Sequence, residues 1–196
     1  MSAVVALRGP DVDGSRKTTF VGMVMALGSW SMLFGALFFA YAILRLRAGT
    51  WPPMGVEPLP RLLPSFNTLV LLASSVVLAH GLRPASESRI GALASSLRAT
   101  LALGSLFLLL QLAVWIPLWQ SGFRIDSGVY GSVFYFLTVF HALHVLAGLV
   151  ALAVLLPGAR AGRWRSGAQG RVKATALFWH FVDAVWVVMF VAVYLL

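Results

Sequence analysis

Five long apolar runs alternate with short polar segments along the 196-residue chain, at about 20–44, 63–82, 97–119, 129–156 and 174–196. Each approaches or exceeds the ~20 residues that an α-helix needs to cross the hydrocarbon core of a bilayer. The pattern predicts an all-α fold, a polytopic membrane bundle of five transmembrane helices spanning 20–196, with a polar tail at 1–19. The breaks between runs carry stop signals. Arg45 and Arg47 end the first run. A segment from Trp51 to Pro64 holds five prolines and forbids a regular helix. A polar loop with Glu87 follows the second run, and a strongly basic loop follows the fourth.

Polar positions inside the runs are few, and each asks for a partner, because hydrocarbon offers none. The last run reads ATALFWHFVDAVWVVMFVAVYLL and is broken only by His180 and Asp183. These two are three residues apart, so they share a helix face, which Trp179 and Trp186 flank. A carboxylate at this depth costs about 2.5–3.5 kcal/mol on an insertion scale, so Asp183 is expected to face protein. His141 and His144 repeat the same spacing in the fourth run. Gln111 is the polar interior residue of the third, and its amide is expected to reach another helix. His80 closes the second run beside Arg83 and reads as an interfacial histidine. In the first run Gly28, Ser31 and Gly35 supply small residues for helix packing, Ser31 and Gly35 as a small-xxx-small pair. Trp51 is placed as an interfacial anchor at the headgroup level.

Composition narrows the class further. Hydrophobic residues make up 60% and charged residues 11% of the chain, with a mean hydropathy of +0.89. Soluble domains carry about 25% charged residues. The absence of cysteine excludes disulfides and thiolate metal sites. The net charge of +9 could suggest nucleic acid, but Lys and Arg sit in short loops between apolar runs, where they set topology. Of the 15 Lys and Arg, 11 fall in the N-terminal tail and the loops after the second and fourth runs. The positive-inside rule then predicts a cytoplasmic N-terminus and an outside C-terminus. No signal peptide is read in residues 1–19.

On the residues alone, three readings of the intramembrane polar groups stand open. His141, His144 and His180 could ligate heme or metal, with Asp183 as the one further candidate ligand. They could instead lock the bundle through interhelical hydrogen bonds. They could mark a proton or substrate path. Five spans cannot form two equal halves, which speaks against a repeat-built transporter. Neither a GxSxG elbow nor an HExxH helix is present.

Four stretches resemble subunit III of the heme-copper respiratory oxidases, in that family's order and spacing. They are Gly22–Ala42, the proline-rich Trp51–Ser75, Ser127–Leu149, and FWHFVDAVW at Phe178–Trp186. The resemblance is to the five-helix bacterial form. It implies a non-catalytic subunit of a proton-pumping aa3-like cytochrome c oxidase, the complex that reduces O2 and translocates protons. It further implies a place in a bacterial inner (plasma) membrane, beside catalytic subunit I and subunit II. Hemes and copper would lie in those partners, with no cofactor, metal or catalytic residue in this chain. Bound phospholipid and support of proton uptake are part of the same implication. Gln111, His141, His144, His180 and Asp183 match an inter-helix polar network with possible lipid contacts. Two positions depart from the family pattern. Trp30 and Val114 stand where buried glutamates are usual, which weakens any relay through those carboxylates. A quinol-oxidase subunit III and a nitric-oxide-reductase accessory protein remain alternatives, as does an independent membrane heme protein or carrier.

Overall fold

The computed structural model describes residues 12–53, 59–82, 90–162 and 169–196. The first part of the tail (1–11), the middle of the proline-rich loop (54–58), the polar loop at 83–89 and the centre of the basic loop (163–168) lie outside the described residues.

Five helices account for the apolar runs: α1 (Val12–Arg47), α2 (Leu62–Leu82), α3 (Ile90–Gln120), α4 (Val129–Arg160) and α5 (Gln169–Phe190). All five are long and apolar enough to cross a membrane. The chain is a multi-pass membrane protein of all-α class. Several helices outrun the apolar stretches that announced them. Backbone bonds inside a helix need no outside partner, so the helix continues into its polar flank. α1 begins at Val12, α3 at Ile90, and α4 passes through Pro157 to Arg160. Pro157 sits in the last turn, where its carbonyl accepts from Ala161 N at 3.1 Å. Gly162 then turns the chain with φ of 65°, a conformation open to glycine without strain.

α2, α3, α4 and α5 pack in that cyclic order, and α1 lies outside the ring against α5 and, more lightly, α4. The core sits between the four ring helices. Trp179, Trp186, Phe107, Leu137, Leu152 and Met189 are fully buried there. α1 buries little: among its described side chains Phe34 and Tyr41 are the buried ones. Its partner surface is largely aromatic, with Trp30 5.0 Å from Phe178 and Phe34 6.4 Å from Phe181, ring centre to ring centre.

After α5 the backbone widens into a π-helical turn at Val191–Leu195. This frees carbonyls at the end of the element. Tyr41 Oη–H donates to Ala192 O at 2.8 Å, Arg45 Nη1 donates to the same oxygen at 3.3 Å, and Arg45 Nη2 donates to Leu196 O. Trp51 lies edge-on to Tyr41 and to Tyr130, at 5.7 and 4.8 Å. Its ring is half-buried against protein as well as placed at a span end.

The small residues of α1 do not pack within this chain. Gly28 and Gly35 are exposed, a methyl on either would meet nothing within 4 Å, and Ser31 is exposed beside them. The close approaches belong to other glycines. A methyl on Gly104 would lie 2.6 Å from the Trp179 ring, and one on Gly148 would lie 2.8 Å from it. These two glycines, on α3 and α4, make room for one indole from α5.

Candidate functional site

The polar residues of the interior converge on one face of α2. Asn67, Thr68, Ser74 and Ser75 fall at spacings of one, seven and eight residues, which places them on one side of a helix. That side looks toward α5 and α3. A hydroxyl has one proton to give and lone pairs to spare. Thr68 gives its proton to Pro64 O in its own helix (2.8 Å) and accepts from Trp186 Nε1–H at 2.9 Å. Ser74 gives its proton to Leu71 O (2.6 Å) and accepts from Trp179 Nε1–H at 3.0 Å. Each hydroxyl is anchored on its own backbone and aims a lone pair at an indole two turns from the next. Thr100 of α3 donates to Ser74 O at 3.4 Å and ties the third helix to the same ladder.

Ser75 is arranged differently. Its proton goes to Asp183 Oδ2, and its oxygen lies 2.8 Å from His180 Nδ1. Asp183 is 4% exposed, and its Oδ1 is buried without a partner. His180 is half-buried at the edge of the α2–α5 seam. A second amide-based group lies one end further along. Asn67 Nδ2 donates to Gln111 Oε1 at 3.4 Å, and Gln111 Nε2 donates to Tyr194 Oη at 3.3 Å.

The five polar residues singled out from sequence are thus divided. His180 and Asp183 meet through Ser75, and Gln111 joins α2, α3 and the final turn. His141 is fully buried, yet neither ring nitrogen has a partner; it packs against Phe107 and Trp186, at 6.0 and 5.3 Å. His144 turns away to the α1 side, bonds Phe140 O of its own helix at 2.8 Å, and meets Trp30 and Phe34 edge-on at 5.6 and 5.2 Å. Trp30, an aromatic residue, therefore occupies the ground beside His144. His80 is exposed and bonds Val76 O of its own helix. Among the described residues, no three His, Asp or Glu are grouped as a metal site would require. Thr68, Ser74 and Ser75 were not singled out from sequence, although their shared face is legible in their spacing.

A narrow apolar cleft of about 250 Å³ opens between α1 and α4, lined by Leu37, Ala40, Leu44, Val133 and Phe136 among others.

The fold is a five-span helical membrane bundle whose α2–α5 seam pairs two hydroxyls with two indoles, while His141 and Asp183 Oδ1 are buried without hydrogen-bond partners. The family model for cytochrome c oxidase subunit III matches residues 3–196. Among curated relatives, cytochrome c oxidase subunit 3 of Thermostichus vulcanus is 33% identical over 177 residues, covering 90% of this chain and 86% of the relative. The Synechocystis protein of the same name is 38% identical over 176 residues, covering 89% and 74%. The Sus scrofa protein is 36% identical over 179 residues, covering 88% and 67%. The chain belongs to the cytochrome c oxidase subunit III family and is a subunit of that oxidase complex.

Proposed function

We propose that the chain is the non-catalytic scaffold subunit of a proton-pumping, aa3-like cytochrome c oxidase in a bacterial plasma membrane. It packs beside catalytic subunit I and subunit II, which hold the hemes and copper, and it carries no cofactor of its own. The observation that supports this reading is the internal use of its polar side chains. The two core indoles and the ladder hydroxyls are paired with each other across α2 and α5. Four histidines are also too few for the six ligands that two hemes and a copper take in the catalytic subunit. The apolar cleft between α1 and α4 suits a lipid acyl chain, which is how the subunit would hold phospholipid at the edge of the complex. The excess of Lys and Arg in the tail and in the loops after α2 and α4 orients the N-terminus to the cytoplasm.

Affinity purification from native membranes in mild detergent, with mass spectrometry and a reduced-minus-oxidised spectrum, tests the reading. The expected result is co-purification of a six-histidine catalytic subunit and a dinuclear-copper subunit, with a heme signal that departs when they are stripped. A chain that came alone and kept its own heme would overturn it and make His141, His144 and His180 the ligands to replace. A reporter fused at Leu196 is expected to be active only on the outer side; activity in the cytoplasm would reverse the orientation.

A further inference from the structure

We propose that His180, Ser75 and Asp183 form a proton-exchange relay linking the buried carboxyl group to the edge of the bundle. The direction of the hydrogen bonds carries the argument. Ser75 Oγ has one proton, and it points to Asp183 Oδ2. Its contact with His180 Nδ1 at 2.8 Å is therefore made by an Nδ1–H that donates to the serine. The three groups form a continuous donor chain running inward from imidazole to hydroxyl to carboxylate.

The surroundings leave this as the route by which Asp183 can gain or lose a proton. Asp183 is buried, and among the described residues no hydrogen bond besides that of Ser75 reaches its carboxyl oxygens. It is the sole Asp or Glu within the five apolar runs. The faces packed on it from α2 carry Ser74 and Thr68, both already bonded to indoles. From α4 the histidines are His141, held between Phe107 and Trp186, and His144, held against Trp30; Tyr135 bonds Phe123 O and Tyr130 packs on Trp51. From α1, Arg45 is bonded to the final turn at the other end of α5, and Arg47 lies further out as the last residue of the helix. His80 of α2 is turned outward onto its own backbone. His180, by contrast, is half-exposed and shares the outer stripe of α5 with Lys173, Leu177 and Ala184, at helical spacings of three, four and seven residues. That stripe runs to the polar end of α5, beside the basic loop.

The step balances without an outside reactant other than one proton carried in from the polar end of α5 along the stripe that His180 shares with Lys173. The ring takes a proton on Nε2 at the exposed edge. Its Nδ1–H bond breaks as a new O–H bond forms on Ser75. The original Ser75 O–H bond breaks as an O–H bond forms on Asp183 Oδ2. The imidazole ends neutral with its proton on Nε2, the serine is unchanged, and the carboxylate has become the acid. The reverse sequence empties it.

Infrared spectroscopy of the complete oxidase complex, transferred from H2O to D2O, tests the relay. The unaltered complex is expected to show a carboxylic C=O band that is missing in Asp183→Asn and that moves with deuteration. In Ser75→Ala and in His180→Phe the deuteration of that band is expected to slow at least about a hundredfold, the low end of what a positioned proton-transfer group contributes. Ser75→Thr, which keeps a hydroxyl, is expected to restore it. The two blocking variants cut the relay at different atoms, so either one that assembles decides the matter. Exchange as fast in that variant as in the unaltered complex would overturn the proposal, and so would the absence of any Asp183 band.

Discussion

Gly148→Ala is expected to destabilise the subunit by about 1–3 kcal/mol, the usual penalty for forcing extra carbon into a packed core. An alanine in mid-helix ordinarily gains about 1 kcal/mol over glycine, so two effects compete here. The geometry decides between them. The added methyl would lie 2.8 Å from Trp179 Cε3, and the ring cannot retreat, because Gly104 holds its far edge with the same tightness. Trp179 is fully buried and fixed by its bond to Ser74 as well. Gly104→Ala should behave alike, and the double variant should lose more than the sum of the two, since both press on one indole. Retention of the subunit in the purified complex as detergent or temperature is raised checks this. Gly35→Ala is the control within the isolated chain, as nothing lies within 4 Å of its new methyl. Equal losses at Gly35 and Gly148 would show that the seat of Trp179 is not special.

The second large effect is expected at Trp186. This ring is fully buried, stands 4.7 Å from Phe107 and 5.3 Å from His141, and donates to Thr68. Trp186→Ala should cost about 3–5 kcal/mol through the cavity it leaves. Thr68→Val removes the acceptor of the indole and keeps the shape, and should cost only about 1 kcal/mol. Cross-helix hydrogen bonds inside membrane proteins average about 0.6 kcal/mol, so the ring's packing outweighs its bond several-fold. Comparing the unfolding midpoints of the two variants in detergent separates the terms. If Thr68→Val proved as damaging as Trp186→Ala, the ladder rather than the packing would be holding α2 to α5.

The five helices were legible in the sequence because hydrocarbon imposes a length and a composition on each span. The polar interior was legible in part. His180, Asp183 and Gln111 stood out because ionisable and amide groups are rare at such depth. Thr68, Ser74 and Ser75 did not, since a helical hydroxyl can satisfy itself on its own backbone and then looks inert. Their role depends on the lone pair left over, which sequence does not show. His141 and His144 sit three residues apart and were read as one group. A step of three residues turns the helix by about 60°, enough at the rim of α4 to send one ring inward and the other to α1. The glycines that pack within the chain were missed for a related reason. A small-xxx-small motif is visible along one helix, at Ser31 and Gly35, whereas Gly104 and Gly148 matter because a tryptophan from a third helix lies between them.

The outlying position of α1 bears on how the protein is made. It is made before the other four helices, yet its chief neighbour is α5, which is made after them, and the turn following α5 supplies the carbonyls that Tyr41 and Arg45 take. Until α5 is made, α1 has only its light contact with α4 and must wait in the lipid nearly alone. α2 and α3, adjacent in the chain and heavily packed, can pair at once. Assembly of the five helices therefore closes late, with α5 and the turn after it capturing α1.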